Sequence, residues 1–197
     1  MTGEFRTIKA STESEFKDRG SKFIGYAFAV EEKDGIKLRL NELRQEHSSA
    51  RHFCYGYILG EEGTDQRAND DGEPNGSAGL PILNQIKSHE LTNVFVVVVR
   101  YFGGTKLGVS GLINAYKEAA KLALEKAEVV VRVPMSTITI QFAHSQIGTI
   151  ERLIRQNNLE IENQKFEMEC TWKIRCKRAD SELIRTQFAL IPDVQLF

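Results

Sequence analysis

Short apolar runs of period two alternate along this chain with longer stretches of period 3.6, and that rhythm predicts most of its elements. Ser21 to Val30 (SKFIGYAFAV) predicts a strand. Between Asp34 and Glu46, Ile36, Leu40 and Leu43 fall on one helical face with charges opposite. Arg51 to Leu59 is aromatic-rich and predicts a second strand. Strand alternation there puts Arg51, Phe53 and Tyr55 on one face and His52 and Cys54 on the other. Glu61 to Ala78 is polar and crowded with Gly, Asp and Asn, so it reads as a long loop of the kind that is functional or disordered. Pro81 suits the first turn of a short helix reaching about His89. Asn93 to Phe102 contains an unbroken apolar run from Val94 to Val99, the pattern of a strand buried on both faces. A Gly-rich turn follows, then a helix from about Ser110 to Lys126.

From about Val129 the pattern restarts, and Pro134 marks a boundary. Met135 to Phe142 alternates, with Ile138, Ile140 and Phe142 on one face. Ser145 to Asn157 predicts a helix that the Asn157-Asn158 pair can stop. Ile161 to Met168 and Cys170 to Lys177 predict two strands. Ala179 to Leu190 predicts a helix ended by Pro192, with Val194 to Phe197 available as a closing strand. The order strand-helix-strand-strand-helix suggests a ferredoxin-like α+β unit. The expectation is therefore two α+β domains, residues 1–130 and 131–197. Trp172, the only tryptophan, is expected to pack on the second domain's sheet.

Composition narrows the function classes. With 197 residues, 41% hydrophobic and 27% charged, the chain is ordinary globular protein. Lys and Arg number 26 against 27 Asp and Glu, a net charge of -1, which argues against a generally basic nucleic-acid binder but allows a local basic patch. Neither half is basic: 17 basic and 19 acidic residues precede Val129, and 9 and 8 follow from it. No run approaches the roughly 18 apolar residues of a membrane span. Met1 to Arg6 holds no apolar signal core, so secretion is not expected. Cys54, Cys170 and Cys176 are odd in number and lack paired spacing, which fits a reducing cytoplasm better than a disulfide framework. Cys170 and Cys176 share one strand face as small core residues, and the further ligands that zinc needs are missing nearby.

The most informative segment runs from Val99 through Arg100, Tyr101, Phe102, Gly103, Gly104, Thr105, Lys106, Leu107, Gly108, Val109 and Ser110 to Gly111. A buried strand enters a loop with four glycines in nine residues, and the loop enters a helix. Glycine permits positive φ and close approach of a ligand. A helix start offers unpaired N–H groups and the positive end of the dipole, which favours an anion such as phosphate. Lys106 and Arg100 could supply charge. Val109 stands where a phosphate loop needs lysine, so this is not a P-loop NTPase, and Gly-x-Gly-x-x-Gly does not fit either. The alternative is that the glycines serve tight turns and close helix–sheet packing.

A second segment, Asn69 to Pro81, places Asp70, Asp71 and Glu73 within four residues. They could hold Mg²⁺ or Ca²⁺, contact a ligand or partner, or cap turns and the next helix. The twelve-residue spacing of an EF-hand is absent. In the third segment, His47 to Tyr55, a Cys54–His52 nucleophile pair competes with the commoner arrangement of a buried Cys beside a hydrogen-bonded His. Lys17, Arg19 and Lys22 cluster around Gly20, either as a solvated turn or as a phosphate or RNA contact. Ser-His-Asp order, His-Glu-x-x-His and Cys-x-x-Cys are all absent, and His89 and His144 are expected at helix ends.

Together these segments resemble the IMPACT/YigZ family. The matching stretches are Gly20-Ser21-Lys22-Phe23-Ile24, Ala50-Arg51-His52-x-Cys54-Tyr55, Asp70-Asp71-Gly72-Glu73-Pro74-x-Gly76-x-Ala78-Gly79-x-Pro81 and Val99-Arg100-Tyr101-Phe102-Gly103-Gly104-x-x-Leu107-Gly108, continuing to Gly111-Leu112-x-x-Ala115-Tyr116. The resemblance covers about residues 14 to 126, and the second domain looks like the small ferredoxin-like C-terminal domain of bacterial members. It implies an N-terminal βαβ fold of the ribosomal-protein type, as in elongation factor G domain IV and the GHMP-type kinases. It also implies a link to translation regulation: eukaryotic relatives regulate translation by competing for the activator of a starvation-responsive kinase, but that activity involves an extra N-terminal RWD domain not expected here, so that partner is not carried over. The expected function is a cytoplasmic, non-enzymatic protein that binds RNA, the ribosome or a translation factor. Its anion-binding surface would comprise Lys22, Arg51, His52, Arg100, Tyr101, Gly103, Gly104, Lys106, Gly108 and Gly111. The alternative is a site for a nucleotide or phosphate ester, with Mg²⁺ at Asp70, Asp71 or Glu73.

Overall fold

The computed structural model describes residues 3–197, a mixed α+β chain that divides into two compact units, Phe5–Arg132 and Val133–Phe197 together with Gly3 and Glu4. Met1 and Thr2, part of the stretch without a signal core, lie outside the described residues. No helix among the described residues is long and apolar enough to cross a membrane.

The first unit contains β1 (Phe5–Ile8), β2 (Thr12–Asp18), β3 (Ser21–Ala29), α1 (Lys33–Glu46), β4 (His52–Leu59), β5 (Asp65–Asn69), α2 (Gly79–Ser88), β6 (Val94–Tyr101), α3 (Gly108–Glu125) and β7 (Val129–Arg132). Five strands form one sheet in the order β2-β3-β6-β4-β5, and every neighbouring pair is antiparallel. β1 and β7 form a separate antiparallel pair. The valine run lies in β6, at the sheet's centre, because both faces there are covered. Val94, Val96 and Val98 join Ile82 and Ile86 of α2 and Leu112, Ala115 and Ala119 of α3. Phe95, Val97 and Val99 join Ile36 and Leu43 of α1 with Ile24 and Tyr57. Each fully buried valine contributes roughly 1.5–3 kcal/mol, so β6 fastens both layers. At Gly25 in β3 any Cβ would strike the Ala119 carbonyl, which is how α3 lies so close to the sheet.

The second unit contains β8 (Met135–Phe142), a 3₁₀ turn (His144–Gln146), α4 (Ile147–Gln156), β9 (Glu160–Phe166), β10 (Cys170–Lys177), a second 3₁₀ turn (Arg178–Asp180), α5 (Ser181–Ala189) and β11 (Gln195–Leu196). Its antiparallel sheet has the order β11-β8-β10-β9. Ile150 and Ile154 of α4 and Ile184 and Phe188 of α5 cover one face, meeting Ile138, Ile140, Phe142, Cys170, Trp172, Ile174 and Cys176. Trp172 stands edge-on to Phe142, with ring centroids 5.2 Å apart. Asn158 ends the α4 segment with φ +50°, the left-handed conformation that asparagine tolerates.

Candidate functional site

The polar stretch after β5 is an ordered loop fastened by its own carboxylates. Asp70 accepts from the backbone N–H groups of Gly76 at 2.9 Å, Ala78 at 3.0 Å and Gly79 at 2.8 Å, and so caps the start of α2. Asp71 accepts from the N–H of Phe53 at 2.7 Å and lies 3.6 Å from Arg44. Glu73 turns inward, with its side chain only 5% exposed. Its Oε1 accepts from Arg100 Nη1 at 2.5 Å and from the Tyr116 hydroxyl at 2.8 Å. The three carboxylates diverge, and no group of three His, Cys, Asp or Glu among the described residues is placed to hold a metal.

Arg100 is not the free strand-end cation that its position in the sequence suggests. Alternation along β6 sends it to the same face as Val98, and it is 7% exposed. Its guanidinium lies between two rings, 5.5 Å from the centroid of Phe23 and 5.6 Å from that of Phe102. Its Nε has no hydrogen-bond partner among the described residues. Burying this ion pair costs desolvation, offset by the direct contact, the Tyr116 hydrogen bond and the aromatic faces. Cys54 is buried beside it and donates to the Asp70 carbonyl at 2.9 Å. Burial pushes the Cys54 thiol well above its ordinary pKa and does the same to the Tyr116 hydroxyl, so both keep their protons at neutral pH. His52 Nδ1 donates to the Asp71 carbonyl at 3.0 Å. His52 and Cys54 thus fasten neighbouring carbonyls of the acidic loop, and each side chain is committed there rather than to the other.

The Gly-rich loop is built on backbone contact. Gly103 packs on Gly20, where a Cβ would collide with the backbone, and its N–H donates to Ser21 Oγ at 3.1 Å. Gly104 and Gly108 have φ of +88° and +75° and face open space. The β2–β3 turn therefore lies against the loop, and Arg19 reaches over it to donate to the Leu107 carbonyl at 3.4 Å. The same guanidinium stands 3.1 Å from where a Cβ on Gly111 would sit. α3 starts at Gly108, and its N-cap residue Leu107 supplies no side-chain hydrogen bond. Phe102 is 59% exposed over the Arg100 guanidinium, and Lys106, four residues on in the same loop, is exposed without an ion pair among the described residues.

The remaining predicted residues scatter. Lys22 pairs with Glu15 at 2.6 Å, and Lys17 pairs with the same carboxylate at 2.8 Å. These contacts, Lys17's hydrogen bond first, hold the Glu15 carboxyl down to about 2. Arg51 is exposed just before β4. Tyr101 lies on the opposite sheet face from Arg100, and its hydroxyl meets His47 Nδ1 at 2.8 Å while Tyr26 meets Nε2 at 2.8 Å. The surface group is thus Gly103, Gly104, Lys106, Gly108 and Gly111, with Arg19 and Phe102 added. Tyr116 was missed as the second partner of Glu73. The available signal was an arginine inside a valine strand, which demands a buried counter-charge.

Comparison with known proteins places this arrangement in a family. The family model described as the Impact N-terminal domain matches residues 19–124, from Arg19 at the β2–β3 turn to the end of α3. The chain belongs to the IMPACT family. It is 34% identical over 173 residues to IMPACT family member YvyE of Bacillus subtilis, covering 85% of this chain and 80% of that one. It is 33% identical over 149 residues to IMPACT family member YigZ of Escherichia coli, covering 75% of this chain and 73% of the relative. A crystal structure described only as that of a hypothetical protein covers 100% of this chain and 98% of its own, with TM-score 0.76 and 26% identity.

Proposed function

We propose that this protein is a non-enzymatic, translation-associated regulator of the cytoplasm that binds RNA, free or within the ribosome, through the Gly-rich loop and the start of α3. The observation that carries this reading is Phe102: an exposed aromatic ring backed by the Arg100 guanidinium, in a loop that also carries exposed Lys106 and leads into a helix start without a side-chain cap. An exposed ring next to cations suits a stacked base with its phosphate alongside. Arg19 adds a second cation over the first turn of α3. The regulatory role rests on membership of the IMPACT family. The cytoplasmic setting rests on three free, buried cysteines.

We read the second unit as ferredoxin-like, supported by the order β11-β8-β10-β9 with both helices on one face. We read the first as the βαβ fold of elongation factor G domain IV, supported by the β3-α1-β4 connection with β6 between its strands. A nucleotide or phosphate-ester site with Mg²⁺ draws no support from Asp70, Asp71 or Glu73, whose oxygens serve backbone amides, Arg100 and Tyr116.

Fluorescence anisotropy with a labelled single-stranded RNA tests the reading. Binding is expected at low salt and to weaken steeply as salt rises. Phe102→Ala is expected to weaken it by about tenfold, the loss of one stacked base, and Arg19→Ala with Lys106→Ala to flatten the salt dependence. No affinity for RNA or ribosomes at low salt overturns the reading.

A further inference from the structure

α4 and α5 cover one face of the second unit's sheet, and the alternate residues of its strands form the other. Strand pairing fixes the membership of that uncovered face. Thr171 lies between Gln141 and Lys165, Lys173 between Thr139 and Asn163, Arg175 between Thr137 and Glu160, and Lys177 beside Met135. Glu162, at the register shift, belongs to it as well, since its carboxylate accepts from Thr137 Oγ1 at 3.0 Å and stands 3.9 Å from Arg175 Nε. Gln195 lies beside Gln141. The β11 ladder runs on to Phe197, whose N–H donates to the Thr139 carbonyl at 2.9 Å, and alternation puts this exposed residue on the side of Gln195.

Charge is unevenly divided over this unit. Residues 133–197 hold eight Lys and Arg and eight Asp and Glu. The uncovered face takes four of the cations, Lys165, Lys173, Arg175 and Lys177, all exposed, and two of the acids. Both acids stand by Arg175, which leaves the three lysines without an ion pair among the described residues. Lys173, Arg175 and Lys177 recur about 6.6 Å apart along β10. Apart from Met135 and Phe197, the neutral residues are threonine, asparagine and glutamine, whose hydroxyls and amides donate to phosphate oxygens. A protein interface is depleted of charge at its centre, whereas here Lys173 and Arg175 occupy an inner strand. A row of cations among neutral donors matches a backbone with a negative charge at every nucleotide. The exposed ring of Phe197 offers a base a stacking face.

We infer that this face is a second RNA-binding surface, which takes single-stranded backbone across β10 and β9. The inference rests on the reading of the chain as an RNA binder and adds a surface in the other unit. Binding there is tolerant of sequence, because the cations reach phosphates rather than base edges.

Anisotropy with the labelled single-stranded RNA, on the full chain, tests it. Lys165→Gln, Lys173→Gln and Lys177→Gln together should lower the slope of log K against log salt by about 2, since each phosphate contact on a single strand contributes roughly 0.7. A charge-matched control removes three cations from the helix layer of the same unit, Arg152→Gln and Arg155→Gln on α4 with Arg185→Gln on α5, and should leave the slope unchanged. An unchanged slope in the lysine variant overturns the inference, as does an equal fall in the control, which makes the effect one of net charge. Phe197→Ala should cost about tenfold in affinity, one stacked base; full affinity there overturns the choice of RNA over another polyanion. Bound RNA should also shield the three lysines from acetylation in the unmutated chain, and unshielded lysines overturn the inference with no question of folding. The loop is read separately, through Phe102→Ala and through Arg19→Ala with Lys106→Ala. Losses confined to the loop variants overturn the sheet surface alone, and losses confined to the lysine variant overturn the loop and leave the sheet.

Discussion

Glu73 shares a short loop with Asp70 and Asp71, which bond backbone amides, yet it reaches into the core to meet a buried arginine. Neutralising it would strand the Arg100 charge, whose Nε already lacks a partner among the described residues. Glu73→Gln is therefore expected to destabilise the fold by about 3 kcal/mol or more, read from the urea midpoint. Glu15 behaves differently because it is at the surface. Lys17 and Lys22 hold its carboxyl from an ordinary 4.5 down to about 2. A carboxyl lowered by folding stabilises the protein above its unfolded pKa and stops doing so as pH falls through its folded one. The melting temperature of the wild type should thus exceed that of Glu15→Gln at pH 6, and the gap should close between about pH 4.5 and 2. A gap unchanged at pH 2 would refute the assignment.

At the scale of elements, the Gly-rich loop separates two uses of glycine. A Cβ on Gly103 collides with the Gly20 backbone, whereas Gly104 meets only open space at φ +88°. Gly103→Ala should cost more than about 3 kcal/mol through forced backbone displacement, and Gly104→Ala about 1–2 kcal/mol from left-handed strain. Equal losses in calorimetry would contradict the contact. The same contrast shows which elements were legible. β3, α1, β4, β6, α3, β8 and β10 carry apolar positions at their own period, and the sequence predicts them within a few residues. β2 (TESEFKD) and β5 (DQRAN) did not declare themselves. Both are edges of the five-stranded sheet, where one neighbour and solvent suffice and no apolar stripe is needed. β5 also lay hidden in a stretch that composition marks as loop.

For the whole molecule, the mixed α+β class was visible in the order of strands and helices. The site was visible only as local chemistry. The sequence motifs named segments, but the pairing of Arg100 with Glu73, 27 residues away, depends on which face of β6 Arg100 takes. The same uncertainty made Tyr101 look like a neighbour of the loop, when it meets His47 on the other side. One consequence follows for the central strand. Six consecutive apolar residues, five of them valines, are almost interchangeable between its two sides, so they say little about which way the strand is dealt. That information is written at its far end, in a guanidinium that has an acid waiting only beneath α3 and a phenol that has an imidazole waiting only beneath α1. Arg100 and Tyr101 work as a key cut on both edges: slide the strand by one notch and neither half turns.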